Sequence, residues 1–192
     1  MHGWGNFRES GNWHRWLVAR RRSVGDAVLY PQFPNAGSPA LDPWLDLLTD
    51  ELSMLHEIDD PGETLVIAHS LAATLWVHAS ARGRVSPSIG RVLLVAPAHP
   101  EVLAEELPEF VIDLAQARTA VQRAAANTLV VGGDVDEWQP RGVQSFAEPL
   151  GLEHSVILGA GHMSRLGGFS RWPQVDQWID NPSVPLNVQG EP

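Results

Sequence analysis

The sequence predicts an α/β fold, a mostly parallel sheet with helices on both of its faces. Three observations lead there. Short apolar runs of strand length alternate with helical stretches. At least one run, Leu65-Val-Ile-Ala68, is continuously apolar, as in a strand buried on both faces. The length, 192 residues, suits one domain with a substantial core.

The elements follow in order. Asn12 to Arg22 carries apolar residues at helical spacing, and Ala27-Val-Leu-Tyr30 then reads as a strand stopped by Pro31. Asp42-Pro43 reads as a helix start, an N-cap followed by proline at the first helical position. The helix it opens carries Trp44, Leu47, Leu48, Leu52 and Leu55 on one face. After the strand Leu65–Ala68 comes a helix from about Leu71 to Ala81, and then the strand Val92–Val95. Helical material around Pro108 to Ala125 precedes the strand Thr128–Val131. A helix near Arg141 to Leu150 precedes the strand Ser155–Leu158, and Trp172 to Ile179 forms the last helix. Helices between apolar strands imply right-handed crossovers and a sheet covered on both sides. Residues 1–180 are expected to form a single domain. Residues 181–192, with three prolines and few apolar groups, are expected to be a loose tail.

Composition excludes several classes of function. Thirteen Lys and Arg stand against 23 Asp and Glu, a net charge of −10, which argues against nucleic acid as a partner. The one compact basic run, Arg20-Arg21-Arg22, is expected to be the solvated last turn of a helix, favoured by the helix dipole. There is no cysteine, so no disulfide, thiolate metal site or thiol nucleophile is possible. No signal peptide follows Met1, and no apolar run approaches the ~18–20 residues that span a bilayer. No membrane partner is expected, and a cytoplasmic location follows by default. Trp13, Trp16, Trp44, Trp76, Trp172 and Trp178 fall in or at the start of predicted helices and read as core. Trp4 and Trp138 fall instead in loops beside candidate reactive residues.

Three turns carry the chemistry. Val66-Ile-Ala-His-Ser70-Leu-Ala-Ala73 joins an apolar strand to a helix in the form small-x-Ser-x-small, a shape that exposes the serine as a nucleophile. Both flanking positions are alanine where the sharp turn normally demands glycine; read blandly, Ser70 is a helix N-cap. Val131-Gly-Gly-Asp-Val-Asp-Glu-Trp-Gln-Pro140 follows a later strand. There Asp134 or Asp136 could orient a histidine; Glu137 is less well placed. A metal site is not expected, because no complementary ligand cluster lies nearby. Leu158-Gly-Ala-Gly-His162-Met-Ser follows the last strand, and its glycines let the chain present the imidazole of His162 as a general base. The three turns fall in the order Ser, Asp, His at the carboxyl ends of parallel strands, where open α/β sheets place their sites. The N–H of Leu71 and one from the loop His2-Gly-Trp-Gly-Asn6, with Trp4 the chosen donor, would stabilise an oxyanion. His69 and Trp138 are candidates for the pocket wall.

The sequence resembles small serine hydrolases of the YdeN type, relatives of a human retinoblastoma-binding hydrolase. The resemblance covers nearly the whole chain before the tail. It rests on His2-Gly-Trp-Gly, Asn12-Trp-His-Arg-Trp16, Pro43-Trp44, Ala68-His-Ser-Leu71, Leu93-Leu-Val-Ala-Pro97, Asp136, Gly161-His162 and Arg171-Trp-Pro173. It implies a compact three-layer α/β-hydrolase fold without a large lid, a triad of Ser70, Asp136 and His162, carboxylesterase-type activity and no cofactor. Asp136 is preferred to Asp134 because relatives place an Asp just before a short aromatic-to-proline stretch, as in Asp136-Glu-Trp-Gln-Pro140. Relatives also carry an apolar strand before the His-Gly-Trp-like loop, whereas here only Met1 precedes it. That strand would lie between Ala27–Tyr30 and Leu65–Ala68, so the sheet is expected to lack its first strand.

The expected substrate is a small ester or related acyl compound. An acyltransferase or perhydrolase would use the same residues, and a non-catalytic interaction protein on a degenerate hydrolase fold is the alternative from another class.

Overall fold

A computed structural model of the chain describes residues 1–58, 62–85 and 89–186. Its four strands, β1 (Thr64–His69), β2 (Ile89–Val95), β3 (Ala125–Gly133) and β4 (Glu153–Ile157), form one parallel sheet in the order β1-β2-β3-β4. The helices are α1 (Trp13–Ser23), α2 (Leu41–His56), α3 (Leu71–Ala81), α4 (Pro100–Glu106), α5 (Leu114–Ala124), α6 (Gln144–Leu150) and α7 (Pro173–Asp180). No helix among the described residues is long and apolar enough to cross a membrane.

Strand periodicity divides the core into two. Side chains alternate across a strand, so Val66, Ala68, Val92, Leu94 and Val130 pack on one face, beneath α2, α3, α5 and α6. Leu93, Val95, Val131 and Ile157 face the other way, toward Trp13 and Leu17 of α1 and Val175 and Trp178 of α7. The three layers and the parallel order are those the sequence predicts.

Several local expectations are corrected. Ala27–Tyr30 forms no strand. The side chains of Arg22 and Arg8 donate to its Val28 and Tyr30 carbonyls, with no sheet ladder recorded there among the described residues. The second helix starts at Leu41 with Ala40 as a cap that offers no side chain, because the Asp42 carboxylate pairs with Arg82 at 2.7 Å instead. The helical material before β3 is α5 and a short 3₁₀ turn at Pro108–Phe110. Ahead of it stands α4, unforeseen, opened by Pro100 and capped by the His99 side chain on the Glu101 N–H. The basic run is not all solvated. Arg21 is buried, holding Asp26 at 2.6 Å, Asp180 at 2.8 Å and Asp176 at 3.3 Å, and so tying α1 to α7. Of the expected tail, Leu186 is buried against the α1/α7 face; residues 187–192 lie outside the described residues.

The free edge of β1 bears on the strand expected to be missing. Met1 makes a single rung of parallel ladder beside it: its amine donates to the Ile67 carbonyl at 2.5 Å, and its carbonyl accepts from the His69 N–H at 3.2 Å. Burial pushes that amine's pKa down to about 5. Beyond Met1 a trough of about 580 Å³ runs between Thr64, Leu65 and Ile67 of β1 and residues 25–30. Ile67 turns its carbonyl toward Met1, so its N–H points to the same edge. A strand-length apolar segment fused to the Met1 amine is therefore expected to raise the thermal unfolding midpoint. A gain of ~2 kcal/mol corresponds to about 4–8 °C for a chain of this size. A Gly/Ser segment of equal length is the control, and equal melting of the two fusions would show that the trough does not accept a strand.

Candidate active site

The register sets the carboxyl ends of the strands side by side. His69, Val95, Val131 and Ser155 stand level across the sheet, and the residues just beyond them build the site. Ser70 follows β1 at φ 58°, ψ −126°. A non-glycine residue there costs roughly 1–3 kcal/mol and needs its surroundings to hold it. Its N–H donates to the Val95 carbonyl at 2.8 Å, and its carbonyl accepts from the Ala73 N–H at 2.9 Å. Ala68 and Ala72 are fully buried at the flanking positions, and the turn forms with alanine in both. Gly3 lies directly against it. A Cβ on Gly3 would stand 2.6 Å from the Ser70 Cβ, so any side chain there would displace the serine. Sequence reasoning chose Trp4 in this loop and passed over Gly3, since only the tertiary approach reveals the constraint.

Ser70, His162 and Asp136 are joined in one hydrogen-bonded chain. The Ser70 hydroxyl lies 2.9 Å from His162 Nε2. His162 Nδ1 lies 2.8 Å from Asp136 Oδ2 and 3.0 Å from Oδ1. A carboxylate accepts only, so Nδ1 carries the proton and Nε2 presents its lone pair to the hydroxyl. The Asp136 side chain is 1% exposed, and the Trp138 N–H also donates to it at 2.9 Å. Asp134 is engaged elsewhere: its Oδ1 accepts from the Gly159 N–H at 2.7 Å, fastening the loop after β4. Gln139, also unforeseen, is buried and donates to the Pro97 carbonyl at 3.0 Å, anchoring the Asp136 turn to the loop after β2.

The loop bearing His162 is held closely. Gly133 faces it so tightly that a Cβ would come 2.2 Å from the Gly161 carbonyl oxygen, a contact only glycine permits. Met163 has φ 51°. The indole N–H of Trp13 donates to the Met163 carbonyl at 2.9 Å. His69 Nε2 lies 2.9 Å from the His162 carbonyl; the carbonyl can only accept, so Nε2 carries the proton. His69 is buried, with its ring 5.2 Å from that of His162. The Trp138 ring stands 6.1 Å from the His162 ring and 5.6 Å, edge-on, from Trp4. Neither the trough beside β1 nor the second cavity, at the opposite end of the sheet, is lined by Ser70, Asp136 or His162.

Leu71 is the first residue of α3, so its N–H has no acceptor within the helix. The loop carrying Trp4 is fixed on both sides. The Gly5 N–H donates to the Ala36 carbonyl at 2.8 Å, and buried His2 donates through Nδ1 to the Gly3 carbonyl while its Nε2 accepts from the Phe33 N–H.

Three buried histidines make the fold sensitive to acid. Burial pushes His2 down to about 4 and His69 to about 3, and holds His14 well below the usual imidazole range. Each stays neutral when folded but gains a proton near pH 6.5 when unfolded. The unfolded state therefore binds more protons below that pH, and stability falls as pH falls from 6.5 toward 4. At pH 5 His2 and His69 each cost about 2 kcal/mol and His14 adds a loss of the same sign, against a domain's stability of about 5–15 kcal/mol. Urea unfolding at pH 7.5 and 5 is expected to show a loss of at least about 4 kcal/mol. A midpoint independent of pH over that range would contradict the burial of these rings.

The three-layer parallel sheet with a strained serine turn at the carboxyl end of β1 defines the fold of the α/β hydrolases. The serine hydrolase family model matches residues 1–181, and the chain belongs to that family. No curated protein sequence matches the chain. Among solved structures, it is similar to the ydeN gene product of B. subtilis, at 23% identity and a TM-score of 0.75, over 93% of this chain and 94% of that one. A YdeN-like hydrolase from Pectobacterium atrosepticum gives 21% identity and a TM-score of 0.66, over 93% and 85%. Est1E from Butyrivibrio proteoclasticus gives 21% identity and a TM-score of 0.58, over 84% and 77%.

Proposed function

We propose that this hydrolase cleaves small carboxylic esters through an acyl-enzyme, with Ser70 as nucleophile, His162 as general base and then acid, and Asp136 as the orienting carboxylate. The observation that carries the reading is the unbroken hydrogen-bonded chain from the Ser70 hydroxyl through His162 to buried Asp136. Ser70 Oγ attacks the acyl carbon as its proton passes to Nε2, and the carbonyl electron pair moves onto oxygen. The N–H groups of Leu71 and Trp4 are the proposed donors to that oxyanion. Collapse of the intermediate expels the alcohol, which takes the proton from Nε2, and water repeats the sequence to release the acid. The balance closes with water alone, so no cofactor enters. Residues 1–180 act as one domain in this reading.

Trp138 beside the imidazole, with Trp4 edge-on to Trp138, favours an acyl group with a flat or apolar face. Est1E has been seen with ferulic acid bound, an acyl group of that kind. The test is labelling by a fluorophosphonate probe, together with turnover of p-nitrophenyl esters of graded chain length and of one aromatic ester. Serine labelling and turnover of short or aromatic esters are expected. Neither labelling nor turnover of any ester would sink the reading and favour a non-catalytic role.

A further inference from the structure

The loop that carries His162 makes a contact pattern the reaction itself does not require. Its two consecutive carbonyls, of His162 and Met163, each accept a hydrogen bond from a buried aromatic donor: His69 Nε2–H and Trp13 Nε1–H, both at 2.9 Å. These donors come from separate elements, His69 from the end of β1 and Trp13 from the start of α1. The segment they hold is short and conformationally costly, since Gly161 and Met163 both stand at positive φ on either side of His162. A non-glycine residue such as Met163 stays in that region only where neighbours over-determine it. The Met163 side chain is buried, and the loop cannot relax outward without breaking both bonds.

We infer that His69 and Trp13 are positioning residues, a two-donor clamp that sets the orientation of the His162 imidazole toward Ser70. The inference rests on the reading of Ser70, His162 and Asp136 as the catalytic unit. His69 is suited to the task because it adjoins Ser70 in sequence. One residue end thereby carries the nucleophile and its neighbour grips the backbone of the base, so hydroxyl and imidazole are registered to the same strand. Its tether does not titrate away, because Nε2 carries a proton in this tautomer of the neutral ring and in the charged ring alike. Trp13 is fixed in turn, stacked on His14 at 3.7 Å between ring centroids and edge-on to Trp172 at 5.3 Å. The clamp touches neither substrate nor the reacting atoms. Its effect is confined to the distance and angle between Nε2 and Oγ, on which proton transfer depends steeply.

The experiment compares His69→Leu, His69→Gln and Trp13→Phe with the unaltered protein, using p-nitrophenyl acetate turnover and the rate of fluorophosphonate labelling. All are measured at least 15 °C below each variant's own melting midpoint. Removing either donor is expected to lower kcat and labelling rate about 10–100-fold, the scale set by a misplacement of about 1 Å, with KM changed less than about threefold. Gln keeps an N–H near the position of Nε2, so His69→Gln is expected to recover most of the loss. Trp13→Phe keeps an aromatic ring but loses the indole N–H and part of the buried volume, so its kcat is read together with its KM and melting midpoint. Serine-dependent labelling that is equally fast in His69→Leu and Trp13→Phe would overturn the clamp while leaving the catalytic reading intact. His69→Gln as slow as His69→Leu would reduce His69 to packing and overturn its positioning role. Absence of serine-dependent labelling in the unaltered protein would overturn the catalytic reading, and the clamp with it.

Discussion

Ser70→Ala is expected to abolish fluorophosphonate labelling and to lower ester turnover by about a million-fold, the scale of removing a nucleophile that works as one unit with its base. The thermal midpoint is expected to stay within a few degrees. The Ser70 hydroxyl bonds only to His162 Nε2 among the described residues, whereas the turn is held through the Ser70 backbone, to Val95 and Ala73. Alanine preserves those backbone bonds and suffers no more strain at φ 58° than serine does. A midpoint unchanged with turnover gone would separate chemistry from folding. Undiminished turnover of p-nitrophenyl acetate would show that another residue is the nucleophile.

Asp136→Asn is expected to cost on the order of ten-thousand-fold in kcat, while Asp134→Asn costs less than about threefold. An asparagine at 136 can turn its NH₂ toward His162 Nδ1, which then takes the tautomer whose Nε2 bears the proton and cannot receive another from Ser70. Burial keeps solvent from replacing the carboxylate, since the side chain is 1% exposed. Among the described residues Asp134 holds only the Gly159 N–H, an acceptor role that an asparagine oxygen keeps. The check is kcat for both variants at one pH on the slope-free part of the profile. A larger loss at 134 than at 136 would reverse the assignment.

The two carboxylates show where sequence reading reaches its limit. Asp134 and Asp136 lie two residues apart in one turn after a strand, and the turn alone left both eligible. Spacing along the chain cannot tell which carboxylate reaches a histidine 26 residues further on. That choice depends on how β3 and β4 register, and on the Gly133–Gly161 approach that sets the two loops face to face. The segment Ala27–Tyr30 shows the opposite failure. Its composition is that of a strand, but a strand exists only when a neighbour accepts its ladder, and a trough separates this one from β1. Arg21 likewise read as solvated because neighbours in sequence were basic; three aspartates, two of them brought over by α7, bury it instead.

By itself the sequence determined what depends on neighbours along the chain. Apolar runs of strand length settled β1 to β4 and helical spacing settled most of the helices, because hydrophobic periodicity is a local signal. The turns carrying Ser70, Asp136 and His162 were legible for the same reason, each being a short run just past a strand. What only the tertiary structure decided is how groups distant in sequence meet. The contact of Gly3 with Ser70, the assignment of Asp134 to Gly159, the burial of Arg21 and the grip of His69 and Trp13 on consecutive carbonyls are all of this kind. Each is fixed by packing distances of a few ångströms between separate elements, a quantity that composition and spacing along one chain do not contain.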